Sequence, residues 1–319
     1  MVRKQDQIHG CLLGAAAGDA LGFCVEELTL DDIREKYGPN GIQGYDTING
    51  FATISSHTQL CMFTANGLLF GATRGAIRGV MAPYVKYLEA AYRDWCKTQH
   101  YGVPKGREKS FSWLSSVDAM RSRRCPEPAV LYALERPQAG TMEEPINHSR
   151  GPNGLARCVP IGLFFHPSET PLPEISLLGA ESAALTYGDP LGFLPAAYLT
   201  NLLSRILYGE PDSFRSILHK TRENMIRQFS SRFSQIRAIE TLLDWAEHTA
   251  EAPTSPAEAL SRQRPTDAAS ILAGACYLCL KFPGDYDRGI VAAVNHSGLS
   301  SALGAVTGAL LGAQVGTEG

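Results

Sequence analysis

Apolar residues recur at three- and four-residue spacing along most long segments of this chain, and this periodicity constrains its fold most strongly. Such spacing places apolar side chains on one face of an α-helix. Clear examples are "APYVKYLEAAYRDWC", "FLPAAYLTNLLSRIL", "IRAIETLLDWAEHTAE" and "AASILAGACYLCLKF". Segments that carry Pro and Gly separate the helical ones, and alternating strand-like patterns are nearly absent. The pattern predicts a single all-α domain of about ten helices over residues 1–319.

The two ends of the chain are rich in Gly and Ala. They read "GCLLGAAAGDALG" near the start and "LGAVTGALLGAQVG" near the end. Because small residues let helix backbones approach each other closely, we predict that these segments form central, tightly packed helices. A chain of 319 residues with 44% hydrophobic residues is long enough to bury a large core around them.

The charge balance excludes some classes of partner. The formal net charge is -3 and the pI is about 6.3, so the chain lacks the basic field that binds nucleic acid or anionic membranes. The first apolar stretch is interrupted by Gly14, Gly18 and Asp19 and is too short to span a bilayer. We therefore expect no signal peptide, no transmembrane helix and a cytoplasmic location.

The 8 cysteines lie mostly inside apolar runs, which is typical of reduced, buried cysteines in cytosolic proteins. Cys276 and Cys279 form the only C-x-x-C motif, within "ILAGACYLCLKF". No second pair completes a zinc motif, so the sequence favours two core cysteines over a redox or metal pair.

Four polar stretches interrupt the apolar helices and are the candidates for chemistry. They are "GDALGFCVEE", "ISSHTQ", "INHSRGPNGLAR" and "VNHSGLSSALGAVTGALLGA". Each joins a Gly-containing loop to the start of a helix, a geometry that presents free N–H groups and suits phosphate binding. A purely structural alternative exists for the second stretch, in which Ser55 or Ser56 caps the helix that follows.

In this order and at these separations, the four stretches resemble the ADP-ribosylglycohydrolase family, all-α hydrolases that remove ADP-ribose from protein side chains. The resemblance extends from about residue 8 to residue 316. "GCLLGAAAGDALG" followed by Val25 and Glu26 is similar to the opening motif of the family. "REKYGPNGIQGYD", "RCVPIGLFF", "AALTYGDPLGFLPAA" and "LKFPGDYDRGIVAAVNHSG" are similar to later family segments. The resemblance implies a large orthogonal helical domain of the ADP-ribosylglycohydrolase type.

The family holds a pair of magnesium ions with two acidic clusters, and this chain departs from both. The first cluster aligns with the tetrad from Ser55 to Thr58, and the second with the run that follows "NHSG". The degenerate metal positions are Ser55, Ser56, His57, Leu299, Ser301 and Leu303. Magnesium binds through carboxylates and water and dehydrates reluctantly, so neutral side chains hold it poorly. The sequence therefore predicts that the magnesium expected in the family is lost here and that no other cofactor replaces it.

The substrate side of the family site is better preserved. The resemblance implies a ligand-binding set of Asp19, Glu26, Ser149, Gly151, Asn153, Gly154, His296 and Gly298. If the chain is active, Glu26 is the candidate general base. A structural alternative is that Asp19 and Glu26 accept hydrogen bonds from backbone N–H groups at helix boundaries. A replacement transition-metal site made of His57, His148 and His296 is a further alternative, because imidazole suits such metals better than magnesium.

These features predict a catalytically degenerate ADP-ribosylglycohydrolase-like protein that binds an ADP-ribose-like small molecule, an ADP-ribosylated protein or another protein partner. Two alternatives stay open from the sequence. One is an active ADP-ribosyl hydrolase with a rebuilt site, acting on ADP-ribosylated protein or a small ADP-ribose conjugate. The other is a steric inhibitor of an ADP-ribosyltransferase, which needs no catalysis.

Overall fold

The computed structural model describes residues 2–26, 28–100 and 110–317, and these residues are mainly helical. They form fifteen α-helices, two short 3-10 helices and one small hairpin. The α-helices are α1 Val2–Phe23, α2 Leu30–Tyr37, α3 Ser56–Arg78, α4 Tyr84–Thr98, α5 Pro128–Glu135, α6 Asn153–Ala156, α7 Val159–Phe164, α8 Leu172–Ala184, α9 Pro190–Tyr208, α10 Phe214–Phe229, α11 Ile236–Glu251, α12 Pro256–Gln263, α13 Ala268–Lys281, α14 Tyr286–Val294 and α15 Ser300–Val315. The strands are β1 Thr47–Ile48 and β2 Phe51–Ala52, and the 3-10 helices are Trp113–Ser116 and Asp118–Arg121. The predicted all-α fold class is confirmed.

The four segments with the clearest periodicity coincide with α4, α9, α11 and α13, with ends that differ by a few residues at most. The structure contains more helices than the sequence predicts, because several short ones lie in or beside segments interpreted as breaks. Proline explains two of them: Pro128 begins α5 and Pro256 begins α12. Proline has its φ already set for a helix and lacks an N–H that the first turn would leave unpaired.

Residues 47–52 form a hairpin that the sequence did not predict. Thr47 pairs with Ala52, and Ile48 pairs with Phe51. Asn49 and Gly50 connect the strands with φ values of 54° and 81°. An Asn-Gly pair favours a two-residue hairpin turn because both residues tolerate positive φ, so this signal was present in the sequence and was missed.

α1 and α15 pack against each other through glycines spaced four residues apart, as predicted for the Gly- and Ala-rich ends. A Cβ atom added to Gly18 would lie 2.1 Å from the carbonyl oxygen of Gly304. The pairs Gly14 with Gly308 and Gly10 with Gly312 give 2.4 and 2.5 Å. Side chains are excluded from this antiparallel contact, which brings the end of α1 beside the start of α15.

The buried apolar residues form one extended cluster to which the helices from α1 to α15 contribute. Cys276 and Cys279 are fully buried within α13, which confirms their interpretation as core residues. In the part of the chain that the structure describes, every helix is too short or too polar to span a membrane.

Candidate functional site

The start of α3 carries the tetrad from Ser55 to Thr58. Ser55 is the N-cap, and its Oγ accepts a hydrogen bond from the N–H of His57 at 3.0 Å. The N–H of Ser56 donates to the carbonyl oxygen of Arg124 at 2.8 Å. The prediction that a serine caps this helix is confirmed for Ser55.

Asp19 reaches the same helix start from α1. Its side chain is fully buried, and its Oδ2 accepts hydrogen bonds from the N–H groups of Ser55 and Thr58 at 3.0 and 3.1 Å. The hydroxyl of Thr58 donates to the same oxygen at 2.5 Å. The first amides of α3 therefore already have partners in the chain, and the expectation that they are free to receive a diphosphate is wrong.

Glu26 has the equivalent position at the start of α15. Its Oε2 accepts a hydrogen bond from the N–H of Ser301 at 2.6 Å. Burial raises the pKa of Glu26, while the hydrogen bond from Ser301 and the nearby His57 act in the opposite direction. Both acids thus satisfy backbone N–H groups at helix starts, which is the structural role foreseen as an alternative.

A polar cleft of about 210 Å³ lies between these two helix starts. Seven of the predicted residues line it: Glu26, Ser55, Ser56, His57, Gly151, Leu299 and Ser301. It is completed by Phe23, Cys125, Glu127, Pro152 and Thr266. The structure therefore brings the tetrad that begins at Ser55 and the run that follows Gly298 to one cavity. The remaining predicted residues, Asp19, Ser149, Asn153, Gly154, His296, Gly298 and Leu303, do not line it.

Glu127 is the acidic residue of the cleft that the sequence did not predict. It precedes α5, in a segment interpreted only as a Pro-bearing break. Its Oε1 accepts a hydrogen bond from the N–H of Asn153 at 3.0 Å, and its Oε2 accepts one from the hydroxyl of Tyr187 at 2.6 Å. These partners are distant in sequence, so periodicity and motif spacing carried no signal for this residue.

The loop before α6 was predicted to bind ligand, and it packs closely against the protein. A Cβ atom on Gly151 would lie 1.9 Å from Oε2 of Glu127, and one on Gly154 would lie 2.7 Å from the ring of Tyr187. Asn153 is fully buried, and its Nδ2 donates to Oγ of Ser56 at 3.0 Å. These contacts give the glycines and Asn153 a structural role in holding the cleft wall.

His296 lies in the packed interior before α15. Its Nε2 donates to the carbonyl oxygen of Ala293 at 2.9 Å, and burial lowers its pKa to about 4. A Cβ atom on Gly298 would lie 2.8 Å from Nδ1 of this imidazole. Leu303 is also fully buried, and a Cβ atom added to Gly274 on α13 would lie 3.1 Å from its side chain.

The histidines considered for a replacement metal site are in different surroundings. His57 and His296 are buried and His148 is exposed. Among the described residues, the group of three side chains with metal-ligand spacing consists of Cys96, His100 and Glu135. It includes none of the three histidines.

An apolar groove of about 360 Å³ lies beside the polar cleft, and His57 lines both cavities. Its wall comes from α1, α3, α6, α15 and the first 3-10 helix. Leu13, Leu69 and Trp113 contribute large exposed apolar side chains to it, and Asn66 supplies a polar group. The two cavities together offer a polar compartment beside an apolar one.

The structure therefore defines a mainly helical protein whose candidate site lies between the starts of α3 and α15. The model of the ADP-ribosylglycohydrolase family matches residues 1–319. The chain belongs to the ADP-ribosylglycohydrolase family.

A solved structure described as an "ADP-ribosylglycohydrolase-related protein complex" has a similar fold, with a TM-score of 0.58 and 23% sequence identity. The alignment covers 100% of this chain and 90% of that chain. A comparison with curated proteins finds no match.

Proposed function

We propose that this chain is a family member that binds an ADP-ribose-like ligand without a pair of magnesium ions and does not hydrolyse it. One observation carries the proposal: Asp19 and Glu26 hydrogen bond to the starts of α3 and α15. In the family, those helix starts carry the acidic metal ligands. Here the aligned positions carry no carboxylate, and acids from α1 and from the turn that follows it accept hydrogen bonds from the N–H groups of these helix starts.

The donor set of the cleft does not fit a pair of magnesium ions. Hydroxyls of Ser56 and Ser301 and the imidazole of His57 are neutral or nitrogen donors, whereas magnesium prefers carboxylate oxygens. The carboxylates that remain already accept hydrogen bonds, Glu26 from Ser301 and Glu127 from Asn153 and Tyr187. Two divalent ions close together need several anionic ligands that do not already accept hydrogen bonds, and the cleft offers few.

The shape of the two cavities supports a ligand with a sugar part and a flat apolar part. The polar cleft presents hydroxyls, two carboxylates and an imidazole, which complement the hydroxyl groups of a ribose. The apolar groove presents Trp113 and aliphatic side chains, which suit an aromatic base. His57 lines both cavities, so one ligand is able to contact both.

We also propose that residues 1–319 act as one domain in the cytoplasm. The close packing of α1 against α15 joins the beginning and the end of the described chain. All eight cysteines are free, which suits a reducing compartment.

Calorimetry with ADP-ribose tests the proposed binding. We expect saturable heat with the unmodified chain and about tenfold weaker binding with Trp113→Ala, because stacking a base on an aromatic ring contributes about 1–3 kcal/mol. Phe51→Ala is the matched control, since Phe51 is a similarly exposed aromatic residue on the hairpin and lines neither cavity. Its affinity should equal that of the unmodified chain.

Hydrolysis of ADP-ribosyl-arginine distinguishes the alternatives. The proposal predicts no release of ADP-ribose with or without magnesium. Release above the uncatalysed rate would identify an active hydrolase with a rebuilt site. Absence of heat with ADP-ribose would instead contradict ligand binding and favour a protein-interaction module.

A further inference from the structure

Three side chains with metal-binding chemistry meet where α4 and α5 end. Cys96 lies in the last turn of α4, His100 follows two residues after that helix, and Glu135 is the last residue of α5. Sγ of Cys96 lies 3.9 Å from Nε2 of His100, and this nitrogen lies 3.2 Å from Oε1 of Glu135. All three ligand atoms lie within 4.8 Å of one another.

These separations are close to those of ligands around one tetrahedral ion. Zinc binds sulfur at about 2.3 Å and nitrogen or oxygen at about 2.0–2.1 Å, which places sulfur and nitrogen about 3.6 Å apart and nitrogen and oxygen about 3.3 Å apart. The observed 3.9 and 3.2 Å need only small side-chain rotations to match. His100 and Glu135 are half exposed, so their side chains have room to make them.

The backbone around the cluster is held in place by Arg93. Its guanidinium donates to the carbonyl oxygens of Leu134 and Arg136, on either side of Glu135, at 2.7 Å each. Arg93 lies one turn before Cys96 on α4, so this contact fixes the end of α5 against that helix. The chain turns after α4, where the N–H groups of Gln99 and His100 donate to the carbonyl oxygens of Cys96 and Lys97, and this turn brings His100 beside Cys96.

We propose that Cys96, His100 and Glu135 bind a zinc-type divalent cation and leave a fourth position to water. One thiolate, one imidazole and one carboxylate form a donor set that suits zinc and cobalt and is poorly suited to magnesium or calcium. The cluster is separate from the polar cleft, because none of its three residues lines that cavity. The metal would connect the ends of α4 and α5.

Metal binding at this cluster should release a proton. Only a thiolate ligates a metal, so the proton of the Cys96 thiol leaves when the ion binds. Calorimetry in two buffers with different ionisation enthalpies measures this proton.

Cobalt spectroscopy on the full chain, stripped of metal with a chelator, tests the proposal. We expect a sulfur-to-cobalt charge-transfer band that saturates at one ion per chain and disappears on addition of zinc. Cys96→Ser should abolish the band. His100→Ala and Glu135→Gln should weaken cobalt binding at least about tenfold.

The matched control is His219→Ala. His219 forms an exposed pair with Glu223 at 3.4 Å, similar to His100 with Glu135, and this pair belongs to no group of three metal-ligand side chains in the described chain. This variant should bind cobalt as the unmodified chain does. The proposal is wrong if the unmodified chain shows no charge-transfer band, or if the band persists unchanged in His100→Ala. The His100 side chain is exposed, so its removal decides the question even if Cys96→Ser fails to fold.

Discussion

Replacement of Asp19 by Ala should destabilise the protein strongly, because this carboxylate holds the start of α3. The change removes the acceptor of three hydrogen bonds, from two backbone N–H groups and the hydroxyl of Thr58. A hydrogen bond to a charged group contributes about 1.5–3 kcal/mol, and loss of an N-terminal cap costs about 1–2 kcal/mol. Because water from the adjacent cleft should hydrogen bond to some of the donors left without Asp19, we expect a total loss of about 3 kcal/mol in the free energy of unfolding.

The assay is thermal unfolding by calorimetry. The unfolding entropy is about 2.1 cal/mol/K per residue. For a chain of 319 residues, the expected loss in free energy of unfolding therefore lowers Tm by about 4–5 °C. Ser55→Ala, which removes one cap hydrogen bond to His57, should cost about 1 kcal/mol. Asp31→Ala, at an exposed acid in the first turn of α2, should cost at most about 1 kcal/mol. Equal Tm values for Asp19→Ala and Asp31→Ala would refute the structural role of Asp19.

The pKa of Glu26 is raised, so the contribution of this group to stability is fully present below the ordinary value of 4.5 and is lost as pH rises through the raised pKa; Glu26→Gln should remove this contribution in denaturant titrations. The pKa of His296 is lowered from 6.5 to about 4, so about 3 kcal/mol of stability should be lost as pH falls across that range. His296→Gln should remove this acid sensitivity, and an unchanged pH profile would contradict the assignment. Gly308→Ala should prevent stable folding or lower Tm by many degrees, because its Cβ would lie 2.0 Å from the carbonyl oxygen of Gly14. Gly44→Ala, which meets nothing within 4 Å, should leave Tm nearly unchanged.

The sequence predicted those parts of the fold that depend on local periodicity. α11 spans Ile236–Glu251, the same residues as the predicted segment, because its apolar stripe is regular and no Pro or Gly interrupts it. The paired central helices were predicted from their Gly and Ala content. The hairpin at residues 47–52 and the short helices were missed, because each depends on a few turn or cap residues rather than on a long period.

In the candidate site, the sequence predicted only those residues that lie in family motifs. The two segments that align with the family clusters meet at one cavity, which Ser55, Ser56, His57, Leu299 and Ser301 line, and their assignment as former metal positions stays a prediction. The roles of Asp19 and Glu26 were foreseen as one of two alternatives. Glu127 and its contacts with Asn153 and Tyr187 depend on tertiary packing across tens of residues, for which one sequence gives no signal.

A reconstructed variant provides the positive control for the central claim, that the missing acids remove the magnesium centre. It restores the family residues at both helix starts. The substitutions are Ser56→Asp, His57→Asp, Leu299→Asp, Ser301→Asp, Ala302→Ser and Leu303→Thr. We expect it to be less stable without metal, because like charges are crowded together and the buried Leu303 is lost, and to regain stability with magnesium.

Calorimetric titration of magnesium into the unmodified chain and this variant is the most direct test of that claim. The account predicts saturable binding and a raised Tm for the variant alone, because a ligand stabilises the native state that binds it. A saturable, chelator-sensitive rise in Tm of the unmodified chain would contradict the account. A folded variant that binds no magnesium would show that the alignment of the two clusters is wrong.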